Sequence, residues 1–124
     1  MSEALRGVVV CHGGVAAALI DAVVRITGPT DRLIPVSNTG CDRGLLEQRI
    51  DEAIGDRPAV VFVDMPSGSC MFAVLRRLHD RPSVKVVTGV NLAMLLDFVM
   101  HTDASAAEAV ARAVASGEKA IRAP

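Results

Sequence analysis

Hydrophobic positions along the chain follow two alternating patterns, one typical of buried strands and one typical of amphipathic helices. Short runs rich in valine and isoleucine predict strands at 7–10, 33–36, 59–63 and 84–87. Apolar residues at helical spacing predict helices at 15–26, 45–54, 71–81, 92–100 and 106–117. In the third of these helices, Phe72, Leu75 and Leu78 form the apolar side.

Strands that alternate with helices imply right-handed crossovers and a mostly parallel sheet. The sequence therefore predicts a doubly wound α/β fold, a single domain over 1–124 with a four-stranded sheet covered by helices on both faces. Pro35 indicates that the second strand lies at the sheet edge. Asn91 and Ser105 are placed to cap the last two helices. A short fifth, antiparallel strand at the sheet edge is left open as an alternative.

The composition narrows the classes of function. The chain has 51% hydrophobic residues, a formal net charge of −1, and no Trp or Tyr. Such a chain has neither the basic surface nor the aromatic platforms of a nucleic-acid-binding protein. No apolar stretch approaches the roughly 18 residues that a membrane span needs, and the N-terminus lacks a secretory pattern. We expect a cytoplasmic protein with three free cysteines.

Polar residues collect in the loops that follow the four strands. These loops lie at 11–14, 37–42, 64–70 and 88–91. In a parallel sheet they all open at the same edge, beside the N-termini of the following helices, where ligands of α/β proteins bind. His12 comes after the first strand and Asp64 after the third, so we expect their side chains to lie close together.

His12 and Asp64 are the candidate catalytic residues. A neutral imidazole is a good nucleophile near pH 7, and a carboxylate that accepts the proton of one ring nitrogen leaves the other nitrogen free to attack. Backbone N–H groups of Gly13, Gly14 and the segment around Ser69 are placed to bind the oxygens of a phosphoryl group. From the residues alone, two interpretations remain open: phosphoryl transfer, and a structural histidine whose hydrogen bonds are satisfied.

Other chemistries find less support in the sequence. Neither G-x-x-x-x-G-K-[ST] nor G-x-G-x-x-G occurs, so no nucleotide-binding fingerprint is present. A zinc site built from Cys11, His12, Cys41 and Cys70 lacks the usual ligand spacing, and adjacent strand residues such as Cys11 and His12 point to opposite faces. We therefore expect no metal and no cofactor. A nucleophilic thiol at Cys70, with a pKa lowered by a helix N-terminus, is a minor alternative.

Three segments of the chain resemble the mannose-type enzyme IIA domains of the bacterial phosphoenolpyruvate-dependent sugar phosphotransferase system (PTS). They are VVVCHG at 8–13, VFVD at 61–64 followed by Gly68-Ser69, and TGVNLAMLL at 88–96. The resemblance implies that His12 accepts a phosphoryl group from the phosphocarrier protein HPr and passes it to a IIB domain. It also implies that Asp64 orients the imidazole, that the loop at Gly68 and Ser69 contacts the phosphoryl group, and that the protein is a homodimer.

Four features depart from the pattern of this family and keep alternatives open. Cys11, Ser67 and Cys70 replace the residue types that are usual there, and the C-terminus is short for a strand exchanged between subunits. One alternative is a receiver-like domain phosphorylated on Asp64 with Thr88 as the sensor, although the acidic pair that holds Mg²⁺ in receivers is missing. A non-catalytic interaction module is another. The phosphoryl acceptor would be a separate IIB protein, linked to a membrane permease, or a regulatory protein.

Overall fold

Four parallel strands form one sheet in the computed structural model of the protein, which describes residues 5–102 and 105–124. The strands are β1 (Arg6–Cys11), β2 (Leu33–Ser37), β3 (Ala59–Val63) and β4 (Val84–Thr88). The helices are α1 (Val15–Thr27), α2 (Arg43–Ile54), α3 (Ser69–Leu78), α4 (Leu92–Met100) and α5 (Ala106–Lys119). The strand order is β2-β1-β3-β4, so the predicted doubly wound α/β fold is confirmed.

Strand β1 lies at the centre of the sheet, since it pairs with β2 on one side and with β3 on the other. Val10 is opposite Val36 of β2 and Val63 of β3. Every residue of β3 and the last five residues of β1 are buried, as expected for apolar strands covered on both faces. Strand β2 is an edge strand, where a proline is tolerated, and the prediction made from Pro35 is confirmed.

Alternate strand residues enter two separate hydrophobic cores. Val9 and Phe62 lie in the core under α1, α4 and α5, whereas Val8 and Val61 lie in the core under α2 and α3. Phe62 also meets Phe98 of α4 edge to face, with ring centroids 5.3 Å apart, a geometry that contributes about 0.5–1.5 kcal/mol beyond simple burial. Each face of the sheet is thus fixed by its own layer of helices.

Helix α3 buries a different side from the one that its sequence pattern indicates. Phe72 and Leu75 are 49% and 54% exposed, and only Leu78 of the expected apolar side is buried. The buried side also includes Cys70, Ala73 and Val74, and the last two follow Cys70 at the spacing of three and four residues that is typical of a helix. These small residues give a weaker apolar signal than Phe72 and Leu75, and the prediction followed the larger side chains.

The caps predicted for the last two helices are confirmed. The side chain of Asn91 accepts a hydrogen bond from the backbone N–H of Met94 at 3.0 Å, and that of Ser105 accepts one from Glu108 at 3.2 Å. Helix α5 ends at Lys119, and the described residues form no fifth strand. Within the described ranges, no helix combines the length and the apolar character needed to cross a membrane.

Gly7 of β1 lies where a side chain would not fit. A Cβ atom there would be 2.8 Å from side-chain carbons of both Leu33 and Phe98. We expect Gly7→Ala to lower the free energy of unfolding by about 1–3 kcal/mol, the usual effect of overpacking a core, as measured by urea denaturation. Gly44→Ala, at an exposed position of α2 where the nearest atom is 3.6 Å away, is the control. Equal stability of the two variants would contradict this account of the core.

Candidate functional site

His12 and Asp64 are brought together by the parallel pairing of β1 with β3. His12 directly follows β1, and Asp64 directly follows β3. The Nδ1 atom of His12 lies 2.9 Å from Oδ2 of Asp64, and the backbone N–H of His12 donates to the same oxygen, also at 2.9 Å. The side chain of His12 is 37% exposed and that of Asp64 is 14% exposed. The imidazole is therefore accessible, while its carboxylate partner is largely buried.

Asp64 remains ionised despite this burial. Desolvation alone would raise the pKa of its carboxyl group, but the hydrogen bonds from the backbone N–H and the ring of His12 lower the pKa below the ordinary value of 3.8. A carboxylate only accepts hydrogen bonds, so Nδ1 of the imidazole must donate to it. In the neutral ring this arrangement leaves a lone pair on Nε2.

Gly68 borders the free nitrogen of His12. A Cβ atom at residue 68 would lie 3.5 Å from both Cε1 and Nε2 of the ring, and the φ angle of +95° is one that other residues rarely adopt. Ser69, which the sequence places in the same loop, is exposed and is the first residue of α3. Glycine at position 68 thus keeps the approach to Nε2 open.

Asn38 joins three loops at this edge, and the sequence did not single it out. Its Oδ1 atom accepts a hydrogen bond from the backbone N–H of Gly13 at 3.0 Å, and its Nδ2 atom lies 3.5 Å from the hydroxyl oxygen of Ser69. The sequence predicts that the loop at 37–42 opens at the site but does not rank its several polar residues. One consequence is that the N–H of Gly13, expected to bind an anion, already donates to Asn38.

Among residues 5–102 and 105–124, no side chain caps two of the helices that begin at this edge. Helix α1 follows Gly14 and α3 follows Gly68, and neither glycine offers a side-chain acceptor. The other two helices at this edge are capped, α2 by Asp42 and α4 by Asn91. The uncapped N-termini are the two next to His12, and such N-termini attract anions.

Cys70 and Cys11 lie near the pair but are poorly suited to act as nucleophiles. Both thiols are fully buried, one in each core. Burial, together with the negative charge of Asp64, raises the pKa of Cys70 to about 11 and that of Cys11 to about 12. The alternative of a Cys70 thiol with a lowered pKa is therefore wrong, because desolvation outweighs the effect of the helix N-terminus.

Cys70 nevertheless completes a group of three potential metal ligands. A ring nitrogen of His12, a carboxylate oxygen of Asp64 and the sulfur of Cys70 all lie within 4.8 Å of one another. The zinc site considered in the sequence analysis combined His12 with the three cysteines and did not include Asp64. The cluster combines the loop after β1 with the segment from the end of β3 to the start of α3, and these are far apart in the sequence, so no short spacing pattern could have indicated it.

Comparison with known proteins places the chain in a family. The family model EIIA-man, described as the PTS system fructose IIA component, matches residues 7–115. The chain is therefore a component of the sugar phosphotransferase system. Within that system it belongs to the mannose-type enzyme IIA family, whose domains are phosphotransferase components, and the resemblance seen in the sequence is confirmed. No curated protein matches the chain significantly.

Solved structures from several bacteria share the fold. The PTS component EIIA from Streptococcus agalactiae has a TM-score of 0.89 at 17% identity, over 96% of each chain. The mannose/sorbose-specific IIA subunit from Enterococcus faecalis has a TM-score of 0.86 at 17% identity, over 98% of this chain and 96% of that one. The IIA protein associated with the fucose utilization operon of Streptococcus pneumoniae has a TM-score of 0.77 at 21% identity, over 99% and 96%. Identities this low show a common fold and nothing about substrate.

The contact between His12 and Asp64 predicts an acid-sensitive contribution to stability. Because the pKa of Asp64 is lower in the folded chain than in the unfolded one, this contribution is complete above the unfolded pKa and is lost as the pH falls through the folded pKa. Below about pH 4, the free energy of unfolding should therefore decrease more in the wild type than in Asp64→Asn, as measured by urea denaturation across this range. Asp56→Asn removes an exposed carboxylate outside the site and should follow the wild type. Parallel curves for Asp64→Asn and the wild type would be evidence against the contact.

Proposed function

We propose that His12 accepts a phosphoryl group from phosphorylated HPr and passes it to a IIB domain or to a regulatory protein. The observation that carries this proposal is the 2.9 Å contact between Nδ1 and Asp64, which leaves Nε2 free on the accessible ring. Membership of the mannose-type enzyme IIA family supports the same donor and acceptor.

The transfer needs no proton to leave the histidine. The lone pair of Nε2 attacks phosphorus, the bond between phosphorus and the leaving atom of the donor breaks, and the electron pair of that bond stays with the donor. The imidazole then carries a formal positive charge, with Nδ1 still bound to its proton. The ionised carboxylate of Asp64 balances this charge, and the stabilisation is largest when the ring is phosphorylated. Transfer to the acceptor is the same step in reverse.

The phosphoryl oxygens need donors that balance their negative charge. The uncapped N-termini of α1 and α3 supply backbone N–H groups and the positive ends of two helix dipoles. We assign Gly14, Gly68 and Ser69 to this role. Gly13 contributes indirectly, because its backbone N–H donates to Asn38 and the position of the loop is thereby fixed. Binding of the phosphoryl oxygens by these groups needs neither a lysine nor a metal ion.

The surface next to the site suits a protein partner. Phe72 is 49% exposed, and the guanidinium carbon of Arg43 lies 4.6 Å from the centroid of its ring. A cleft of about 470 Å³ is lined by this pair together with Asn38 and Ser69. Exposed apolar side chains rimmed by polar groups mark interaction surfaces, so we assign this surface to HPr and to the acceptor in turn. The homodimer implied by the family stays a prediction.

Phosphorylation of His12 can be tested directly. After incubation with phosphoenolpyruvate, enzyme I and HPr, intact-mass spectra should show one added phosphoryl group on the wild type and none on His12→Gln. The matched control is His79→Gln, which should be phosphorylated like the wild type, because His79 is exposed and its ring bonds to the carbonyl of Arg76 at the far end of α3. The phosphate should be lost in acid and retained in base.

Other results would favour the alternatives. A phosphorylated species that persists in His12→Gln and is released by hydroxylamine would indicate an acyl phosphate on Asp64, as in a receiver-like domain. A wild-type protein that stays unphosphorylated would indicate an interaction module without catalysis.

Asp64→Asn should slow phosphorylation of His12 by about 10²–10⁴-fold with the fold intact. An amide can donate to Nδ1 and so stabilise the tautomer that has no lone pair on Nε2, which is the effect of the equivalent change in a serine-protease triad. Rapid-quench kinetics give the rate, and circular dichroism verifies the fold. Asp56→Asn is again the control. An unchanged rate would remove Asp64 from the mechanism.

A further inference from the structure

We propose that His12, Asp64 and Cys70 form a binding site for Zn²⁺ that competes with phosphorylation of His12. The three residues bring an imidazole nitrogen, a carboxylate oxygen and a sulfur within 4.8 Å of one another. These are the three ligand types that zinc takes from proteins, and three protein ligands with water in the fourth position make a complete tetrahedral site.

The geometry requires only a small adjustment. With zinc about 2.0–2.3 Å from each ligand, tetrahedral ligand atoms lie about 3.3–3.8 Å apart. Donors 4.8 Å apart would therefore approach by about 1–1.5 Å. The side chain of His12 is 37% exposed and is held at Nδ1 by Asp64, whereas Asp64 is largely buried and Cys70 is fully buried. The metal ion would enter from the accessible side of the imidazole.

Asp64 supplies a second, independent indication. Its Oδ2 atom receives both hydrogen bonds from His12, while its Oδ1 atom is buried and has no hydrogen-bond partner within the described part of the chain. An unsatisfied buried acceptor destabilises the fold, and more so when it is charged. A cation bound beside it would satisfy this oxygen.

Metal binding and phosphorylation exclude each other chemically. When Cys70 binds Zn²⁺, its thiol proton passes to solvent and a sulfur–zinc bond forms. If zinc binds Nε2 of His12, it occupies the attacking lone pair. If it binds Nδ1, the ring proton moves to Nε2 and the bond to Asp64 is lost. Neither form has a free lone pair, so zinc would block the transfer. This block rests on the proposed function, whereas metal binding does not.

Cobalt is a spectroscopic probe of this site. Titration of reduced, metal-free protein with Co²⁺ should give a thiolate-to-cobalt charge-transfer band that saturates at one ion per chain, and Zn²⁺ should abolish it. Cys70→Ser and His12→Gln should lack the band and bind Zn²⁺ at least about 100-fold more weakly, because loss of an outer partner alone weakens binding 10–100-fold. Cys41→Ser, which changes a partly exposed thiol outside the cluster, should keep the band.

Control measurements distinguish the loss of a metal ligand from a loss of folding. Circular dichroism verifies that Cys70→Ser folds, and His12→Gln provides the same test at a partly exposed position. A wild type without the band, a band that survives in Cys70→Ser, or a band lost in Cys41→Ser would overturn the site.

The competition is measured separately. Equimolar Zn²⁺ should lower the phosphorylation rate of the wild type and EDTA should restore it, while the ratio of rates with and without zinc should stay near one in Cys70→Ser. Equal inhibition of both proteins would place the effect of zinc on enzyme I or HPr and overturn the competition. A wild type that shows the cobalt band but is never phosphorylated would leave the metal site standing and remove the proposed function.

Discussion

The register between β1 and β3 is the constraint on which the rest of the site depends. Val10 lies opposite Val63, so the two strands end one residue apart and the backbone N–H of His12 reaches the carboxylate that follows β3. A slip of one residue would exchange the faces of a strand, moving Val9 and Val10 each into the wrong core. The packing that fixes the register therefore also fixes the contact between His12 and Asp64.

Two opposing effects act on the charge of Asp64 at this contact. Burial disfavours its charge, and the hydrogen bonds from His12 more than compensate. One carboxylate oxygen accepts both of these bonds, while the other is buried and has no partner among the described residues. The environment of Asp64 thus favours an increase of positive charge at His12. We propose that phosphorylation of the ring and binding of a metal ion each provide it, so the two events compete for one cluster.

The sequence was sufficient for the fold because its strands are continuous apolar runs whose burial on both faces does not depend on detail. The sequence also predicted that His12 and Asp64 lie at the same sheet edge, because the carboxyl ends of parallel strands all lie at one edge. The buried side of α3 was not predictable in the same way, because Ala73 and Val74 were weaker signals than Phe72 and Leu75. The role of Asn38 depends on how three loops pack, and the raised pKa of Cys70 depends on how deeply α3 is buried. Such three-dimensional properties leave no local pattern.

The helix N-termini at the site differ between the outer and the central strands of the sheet. The outer strands β2 and β4 lead to helices that Asp42 and Asn91 cap. These two side chains accept hydrogen bonds from backbone N–H groups of the first helical turn. The central strands β1 and β3 lead to helices that follow glycines, whose N-termini keep their affinity for an anion. A glycine cap is only a few tenths of a kcal/mol weaker than a polar one. The anion site that we propose therefore lies beside the central strands, where burial fixes the backbone most firmly, and its glycine caps lower stability only slightly.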